Sequence, residues 1–146
     1  MVSNDGILKQ AIKAINNSSD DNANEIILTS GFTLEGDTTE YTLRRGTTTI
    51  KGEGNTITVN PGAGIKVTGE KTVLNLGAEG YDKKLTIDGK TSGGSASGNA
   101  KNAFVSVLEG ATANMYGNVT LQNGEFADKA CVVTVSYTHL RAHETR

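Results

Sequence analysis

The chain has 146 residues and a formal net charge of −2, with 36% hydrophobic and 5% aromatic residues. This length suits a single domain, and the low aromatic content predicts a thin core. The small net charge gives no electrostatic basis for binding nucleic acid, and no apolar stretch is long enough for membrane insertion. Eighteen glycines and one proline, with abundant Thr, Asn and Ser, fit short strands joined by tight turns.

The first residues predict a disordered start, residues 1–4, followed by a helix. The start lacks the basic and apolar segments of a signal peptide, and we expect that it is not the biological one. Within residues 5–16, apolar side chains recur at helical spacing: Leu8, Ala11, Ile12 and Ile15. The residues able to cap this helix are Ser3, Asn4 and Asp5.

From residue 25 the pattern changes to short runs that are typical of β-strands. Gly, Asp or Asn separates most of the runs, which lie at residues 26–29, 32–34, 41–43, 48–51 and 56–59. Strands this short are stable only when many of them stack into a shared sheet.

A block of sequence between residues 65 and 135 occurs twice. Four residues recur 40 positions later: Ile65, Val67, Val73 and Gly77 match Val105, Val107, Ala113 and Gly117. Ile87 matches Leu121 at an offset of 34, which predicts six extra residues near 78–83 in the first copy. A shared period predicts stacked copies of one unit. Residues 93–99, between the copies, are too poor in apolar side chains to pack and predict a flexible excursion.

Coils of three short strands explain this pattern better than a meander, because regular two-residue hairpin links are missing. Inward positions would form apolar ladders, and the candidates are Ile57, Val59, Ile65, Val67, Leu85, Ile87, Val105, Val107, Val119 and Leu121. A solenoid has an apolar end that needs a cover, and the helix at residues 5–16 is placed to provide it.

Three segments carry a family resemblance. The amphipathic helix, the run Glu-Ile-Ile-Leu-Thr-Ser-Gly-Phe-Thr-Leu at 25–34 and the run Thr-Ile-Lys-Gly-Glu-Gly-Asn-Thr-Ile at 49–57 resemble the start of right-handed parallel β-helix domains. These have the pectate-lyase-like fold, and residues 104–124 resemble repeat units of its bacterial adhesin-like surface versions. The resemblance covers residues 5–135. It implies an all-β fold, a right-handed parallel β-helix with an N-terminal capping α-helix.

The C-terminal residues 136–146 differ from the rest of the chain and contain both histidines. They resemble translated sequencing-adapter read-through, so we predict a non-native tail. His139 and His143 have a spacing that can chelate zinc, but Leu140 stands where a zincin motif has Glu, so we assign no metal site.

Two other features outside the strands receive structural interpretations. Cys131 is the only cysteine, which excludes an intrachain disulfide, and it is predicted to be a small buried hydrophobe. Asp20 and Asp21 are predicted to lie in a solvated loop, because no further carboxylate stands at ligand spacing.

The predicted domain offers no recognisable catalytic constellation. Without the tail it has no histidine, which excludes Ser-His-Asp and Cys-His catalysis within residues 5–135. Pectate lyases pair Ca²⁺-binding carboxylates with an arginine, and no such motif is formed by the nearest candidates, Arg44, Arg45, Asp37, Glu40 and Glu53. Gly52-Glu53-Gly54-Asn55 lacks the ending of a phosphate-binding loop and is predicted to be a turn. We therefore assign no catalytic, cofactor-binding or metal-binding residue.

Three tyrosines, Tyr41, Tyr81 and Tyr116, could stack on sugars or simply pack within the strands. Asn118-Val119-Thr120 and Asn17-Ser18-Ser19 match the glycosylation pattern, which we attribute to chance. We expect a non-enzymatic β-helix region of an extracellular bacterial surface protein, a stalk or an adhesive surface, with carbohydrate or a host or cell surface as partner. The alternatives are the first part of a polysaccharide lyase or glycoside hydrolase with catalytic turns beyond residue 135, and a cytoplasmic scaffold that begins at Met1.

Overall fold

The computed structural model describes residues 1–18, 23–36, 38–60, 63–89 and 104–122, and the backbone of residues 132–134. Helix α1 spans Asp5–Asn17, and a short 3-10 helix spans Thr38–Tyr41. The strands in the described part of the chain are β1 (Ala23–Ile27), β2 (Phe32–Leu34), β3 (Thr42–Leu43), β4 (Thr47–Lys51), β5 (Thr56–Val59), β6 (Ile65–Thr68), β7 (Val73–Leu76), β8 (Leu85–Asp88), β9 (Val105–Leu108), β10 (Thr112–Met115), β11 (Val119–Gln122) and β12 (Val132–Thr134).

The strands form three parallel sheets of four strands each. Sheet 1 has the order β1-β4-β7-β10, sheet 2 has β2-β5-β8-β11, and sheet 3 has β3-β6-β9-β12. Each of the strands β1 to β9 therefore pairs with the strand three places later, one coil further along. Four coils of three strands make a parallel β-helix with an N-terminal helix, and this confirms the predicted fold class.

The predicted inward ladders form the core. The members that are at most 4% exposed are Ile57, Val59, Ile65, Val67, Leu85, Ile87, Val105 and Val107. Val119 and Leu121, in the last described coil, are half-buried against the same core. Alternating burial along each strand leaves every second side chain on the outer surface.

The repeat register is confirmed at two places and corrected at a third. Ile65 pairs with Val105 at an offset of 40, and Ile87 pairs with Leu121 at 34. Val73, however, pairs with Thr112 at an offset of 39, while Ala113 pairs with Leu74. The prediction matched Val73 to Ala113 because both are apolar, but Val73 faces outward. The first copy has six extra residues, as predicted, but only five of them lie in the turn after β7, which covers 77–84 where the turn after β10 covers 116–118. The sixth lies in the turn after β6, which covers 69–72 where the turn after β9 covers 109–111.

Helix α1 covers the first coil, as predicted. The Asn4 side chain caps the helix by accepting a hydrogen bond of 2.8 Å from the Ile7 N–H. The buried residues of helix α1 are Leu8, Ile12 and Ile15, and the helix packs on β2, β3 and the 3-10 helix.

The disordered start predicted for residues 1–4 is wrong at Val2. Val2 is 3% exposed and forms a parallel bridge with Leu28, beside the free edge of β1. Its N–H donates to the Ile27 carbonyl at 2.8 Å, and its carbonyl accepts from the Thr29 N–H at 2.9 Å. A single apolar residue has no periodicity, so the sequence carried no strand signal there.

Several predictions concern residues outside the described ranges. These are the loop with Asp20 and Asp21, Asp37, the excursion at 93–99, the side chain of Cys131, and the tail 136–146 with His139 and His143. Among the described residues, no helix is long and apolar enough to cross a membrane.

Candidate functional site

The outer surface of sheet 2 is dominated by threonine. Strand pairing places Thr56, Thr86 and Thr120 side by side in one row. A second row, two residues further along the strands, contains Thr33, Thr58, Asp88 and Gln122. We call the five threonines of these rows, Thr33, Thr56, Thr58, Thr86 and Thr120, the threonine face.

The hydroxyls of the threonine face are available to a ligand. None of the five has a hydrogen-bond partner among the residues that the structure describes. The one charged member of the two rows, Asp88, accepts a hydrogen bond of 3.0 Å from the Gln122 side chain. The face thus offers rows of hydroxyl and methyl groups on a hydrogen-bonded sheet.

The middle row on the outer surface of sheet 1 is different, because its polar groups bond to one another. Asn114 Nδ2 donates to Asn75 Oδ1 at 2.9 Å, and Asn75 Nδ2 donates to Thr49 Oγ1 at 3.3 Å. At the edge of the sheet, Lys51 Nζ lies 2.7 Å from a Glu25 carboxylate oxygen. This row uses much of its hydrogen-bonding capacity within the protein, and so offers less of it to a ligand.

Among the described residues four turns join sheet 1 to sheet 2, and we call the last three of them, at residues 52–55, 77–84 and 116–118, the turn stack. Tyr81 in the second turn reaches back to Glu53 in the first. Its hydroxyl accepts from the Glu53 N–H at 3.0 Å and donates to the Glu53 carboxylate. The third turn contributes Asn118, whose Nδ2 donates to the Tyr81 carbonyl at 2.8 Å. The side chains therefore tie successive coils together at this corner.

Two lysines contact the Tyr81–Glu53 pair of the turn stack. Lys83 Nζ lies 3.1 Å from a Glu53 carboxylate oxygen, and Lys51 Nζ lies 5.3 Å from the centre of the Tyr81 ring. Hydrogen bonds from Tyr81 and Lys83 hold the pKa of Glu53 below its ordinary value. Desolvation, followed by the hydrogen bond to Glu53, raises the pKa of Tyr81. Glu53 is thus held as a carboxylate, which does not suit a general acid.

The three tyrosines have different environments. Tyr41 is completely buried, so stacking on a sugar is excluded for it. The Tyr81 ring is half-buried and its hydroxyl is engaged by Glu53. Tyr116 is 36% exposed at the end of the turn stack and is the tyrosine best placed to contact a ligand.

The remaining sequence candidates do not converge on one site. Residues 52–55 form a turn, as predicted, with Glu53 and Gly54 at φ 53° and 86°. Glu40 lies 3.5 Å from Lys9 at the capping helix, whereas Glu53 belongs to the turn stack. Arg44 is exposed and Arg45 is half-buried in the turn after β3. Within the described ranges, no three His, Cys, Asp or Glu residues form a group that could hold a metal ion.

The threonine face was not predicted from the sequence. The signal that could have found it is the recurrence of Thr beside inward Ile or Leu in Thr56-Ile57-Thr58, Thr86-Ile87 and Thr120-Leu121. That signal becomes interpretable only when the strand register is known.

Comparison with protein-family models, curated proteins and solved structures gives no match. The candidate site is therefore defined by its geometry.

Proposed function

We propose that this chain is a non-enzymatic β-helix region of a bacterial cell-surface protein of the pectate-lyase-like, adhesin-like kind. It acts outside the cell as a stalk or adhesive surface, and it binds carbohydrate through the threonine face and the adjoining Tyr116.

The observation that carries this proposal is that the hydroxyls of the threonine face have no hydrogen-bond partner among the residues that the structure describes. Sugars are recognised through hydrogen bonds to their hydroxyl groups, and Thr can both donate and accept. Tyr116 adds an apolar ring with a polar tip next to β11. Because each contact is weak and exposed to water, useful affinity requires several contacts made at once.

The test is retention of the purified chain on immobilised polysaccharides and on a glycan array. We expect retention on at least one polysaccharide and release by the soluble form of the same sugar. The variant Tyr116→Ala is expected to weaken retention, and its circular dichroism spectrum is expected to match that of the unchanged chain.

The rival function needs a different test, on the full-length protein, because its catalytic turns would lie beyond residue 135. Release of unsaturated or reducing sugar ends from polysaccharide by the full-length protein would favour a lyase or hydrolase. Absence of retention on every polysaccharide tested would contradict the carbohydrate-binding proposal.

A further inference from the structure

We infer that the ligand of the threonine face is a linear, uncharged polysaccharide that lies along the solenoid axis, with one sugar ring over each coil. This inference rests on the proposed carbohydrate-binding function and specifies the class and direction of the ligand. Its basis is the arrangement of the free hydroxyls in Thr56, Thr86 and Thr120 and in Thr33 and Thr58.

The direction of the ligand is inferred from the number of threonine hydroxyls that it can contact along a strand or across the strands. A ligand running along a strand meets at most two threonines, as on β5 with Thr56 and Thr58, because each strand here has three or four residues. A ligand running across the strands meets three in the row of Thr56, Thr86 and Thr120. Contacts in the second row, at Thr33 and Thr58, lie about 6.6 Å to the side, within the width of one sugar ring.

The spacing favours an extended polymer. Neighbouring strands lie about 4.8 Å apart, so the hydroxyls in a row repeat at that interval. A chain of equatorially linked pyranoses extends by a similar distance for each sugar, and successive rings can therefore meet equivalent threonines. A helical or strongly branched glycan lacks this match beyond one or two rings.

The charge of the face favours an uncharged ligand. No basic side chain occupies the outward positions of the two rows, and the charged residue present in them is Asp88. A polyanionic sugar chain would meet no basic side chain in the two rows to balance its charge. Two lysines near the rows, Lys51 in β4 and Lys83 in the turn stack, already face Glu25 and Glu53, and the exposed Lys84 lies outside the two rows.

The test is calorimetric titration with neutral β-1,4-linked gluco-, manno- and xylo-oligosaccharides of two to six residues. We expect the affinity for at least one series to rise with each added sugar up to three or four residues and then to level off. Thr86→Val removes the central hydroxyl but keeps a β-branched side chain, and it is expected to weaken binding about three- to tenfold.

The matched control is Thr47→Val, which alters an outward half-buried threonine on sheet 1 and is expected to leave the affinity unchanged. Oligogalacturonides of the same lengths are expected not to bind. If the chain binds a glycan without dependence on length, or if Thr86→Val has no effect, the inference is overturned and the carbohydrate-binding proposal survives. If no glycan binds at all, both are overturned.

Discussion

Two buried polar residues in this fold differ in whether their hydrogen bonds are satisfied. Tyr41 is fully buried, and its hydroxyl donates to Asp5 Oδ1 at 2.6 Å and accepts from the Gly36 N–H at 2.8 Å. Thr48 is 1% exposed, and its hydroxyl has no partner among the described residues. A satisfied buried group stabilises a fold, whereas an unsatisfied one costs its lost hydration.

The first prediction concerns Tyr41. Tyr41→Phe removes the hydroxyl and leaves the Gly36 N–H and Asp5 without this partner, so we expect the free energy of unfolding to fall by about 1–3 kcal/mol. Urea denaturation followed by circular dichroism measures this change. Tyr116→Phe is the control, and at an exposed site it should change stability by less than about 0.5 kcal/mol. Equal effects of the two variants would contradict the role of the Tyr41 network.

The second prediction is a loss of stability at alkaline pH that depends on Tyr41. Burial, followed by the hydrogen bond to Asp5, raises the pKa of Tyr41 above its ordinary value. The unfolded chain therefore releases this proton first, near pH 10, while the native state still keeps it. The contribution of the Tyr41 hydroxyl to the free energy of unfolding is therefore fully present below about pH 10 and decreases as the pH rises further. The difference in unfolding free energy between wild type and Tyr41→Phe should shrink over that range, and a constant difference would refute the prediction.

The third prediction concerns Thr48. Thr48→Val keeps the shape of the side chain and removes an unsatisfied buried hydroxyl, so we expect stability to rise by about 1 kcal/mol. Thr42→Val provides the contrast, because the buried Thr42 hydroxyl donates to the Thr38 carbonyl at 2.8 Å and its loss should destabilise. Thermal unfolding of both variants measures the expected rise in stability for Thr48→Val and the expected fall for Thr42→Val. Destabilisation by Thr48→Val would show that its hydroxyl has a partner in solution.

Two strands at the edges of the sheets, β1 and β3, each have backbone groups that are hydrogen-bonded by a single residue from outside the sheet. The Asn16 side chain imitates a strand beside β3, since its Nδ2 donates to the Thr42 carbonyl at 2.8 Å and its Oδ1 accepts from the Arg44 N–H at 2.9 Å. Val2 has the same role beside β1 through its main chain. Edge strands with unpaired backbone groups are templates for aggregation, and these contacts cover two of them.

The fourth prediction tests the Asn16 contact. Asn16→Ala removes both hydrogen bonds to β3, and we expect a loss of about 1–2 kcal/mol together with faster hydrogen exchange at the Arg44 amide. Asn17→Ala, on the exposed neighbour at the end of α1, should change neither quantity. Unchanged exchange at Arg44 in Asn16→Ala would argue against edge capping.

The fifth prediction concerns the packing of two successive turns. A Cβ added at Gly52 would lie 2.5 Å from the Lys84 carbonyl oxygen and 2.6 Å from Leu85 Cα, and both are backbone atoms with little room to move. Gly52→Ala should therefore cost about 1–3 kcal/mol. Gly117→Ala is the matched control, since no atom lies within 4 Å of the added Cβ there. Equal melting temperatures for the two variants would contradict the close approach.

The whole molecule is a stack of coils with one end covered by α1. Leu8, Ile12 and Ile15 bury the apolar face of the helix against the first coil, and Lys9 adds a contact of 3.5 Å to Glu40 in the 3-10 helix. In a solenoid each coil is stabilised only by its neighbours, so the first coil depends on this cover. The helix is consequently part of the folding unit.

The architecture and the core could be predicted from the sequence alone. Inward positions must be apolar to exclude water. Apolar residues therefore recur at every second position in each strand and at helical spacing in α1. Those patterns identified the capping helix and ladders such as Ile65 with Val105. Glycine at the turns marked where each run ended.

Only the tertiary structure decided which outward residues are neighbours. Thr56, Thr86 and Thr120 are about 30 residues apart in the chain and become adjacent through strand register, which depends on turn lengths that apolar matching misjudged by one residue at Val73. The contact of Tyr81 with Glu53 and the burial of Tyr41 arise in the same way. Water tolerates almost any polar residue on the outside, so a recurrence such as that of Thr cannot be interpreted from the sequence alone. The stacking of the coils decides which of these residues form the candidate site.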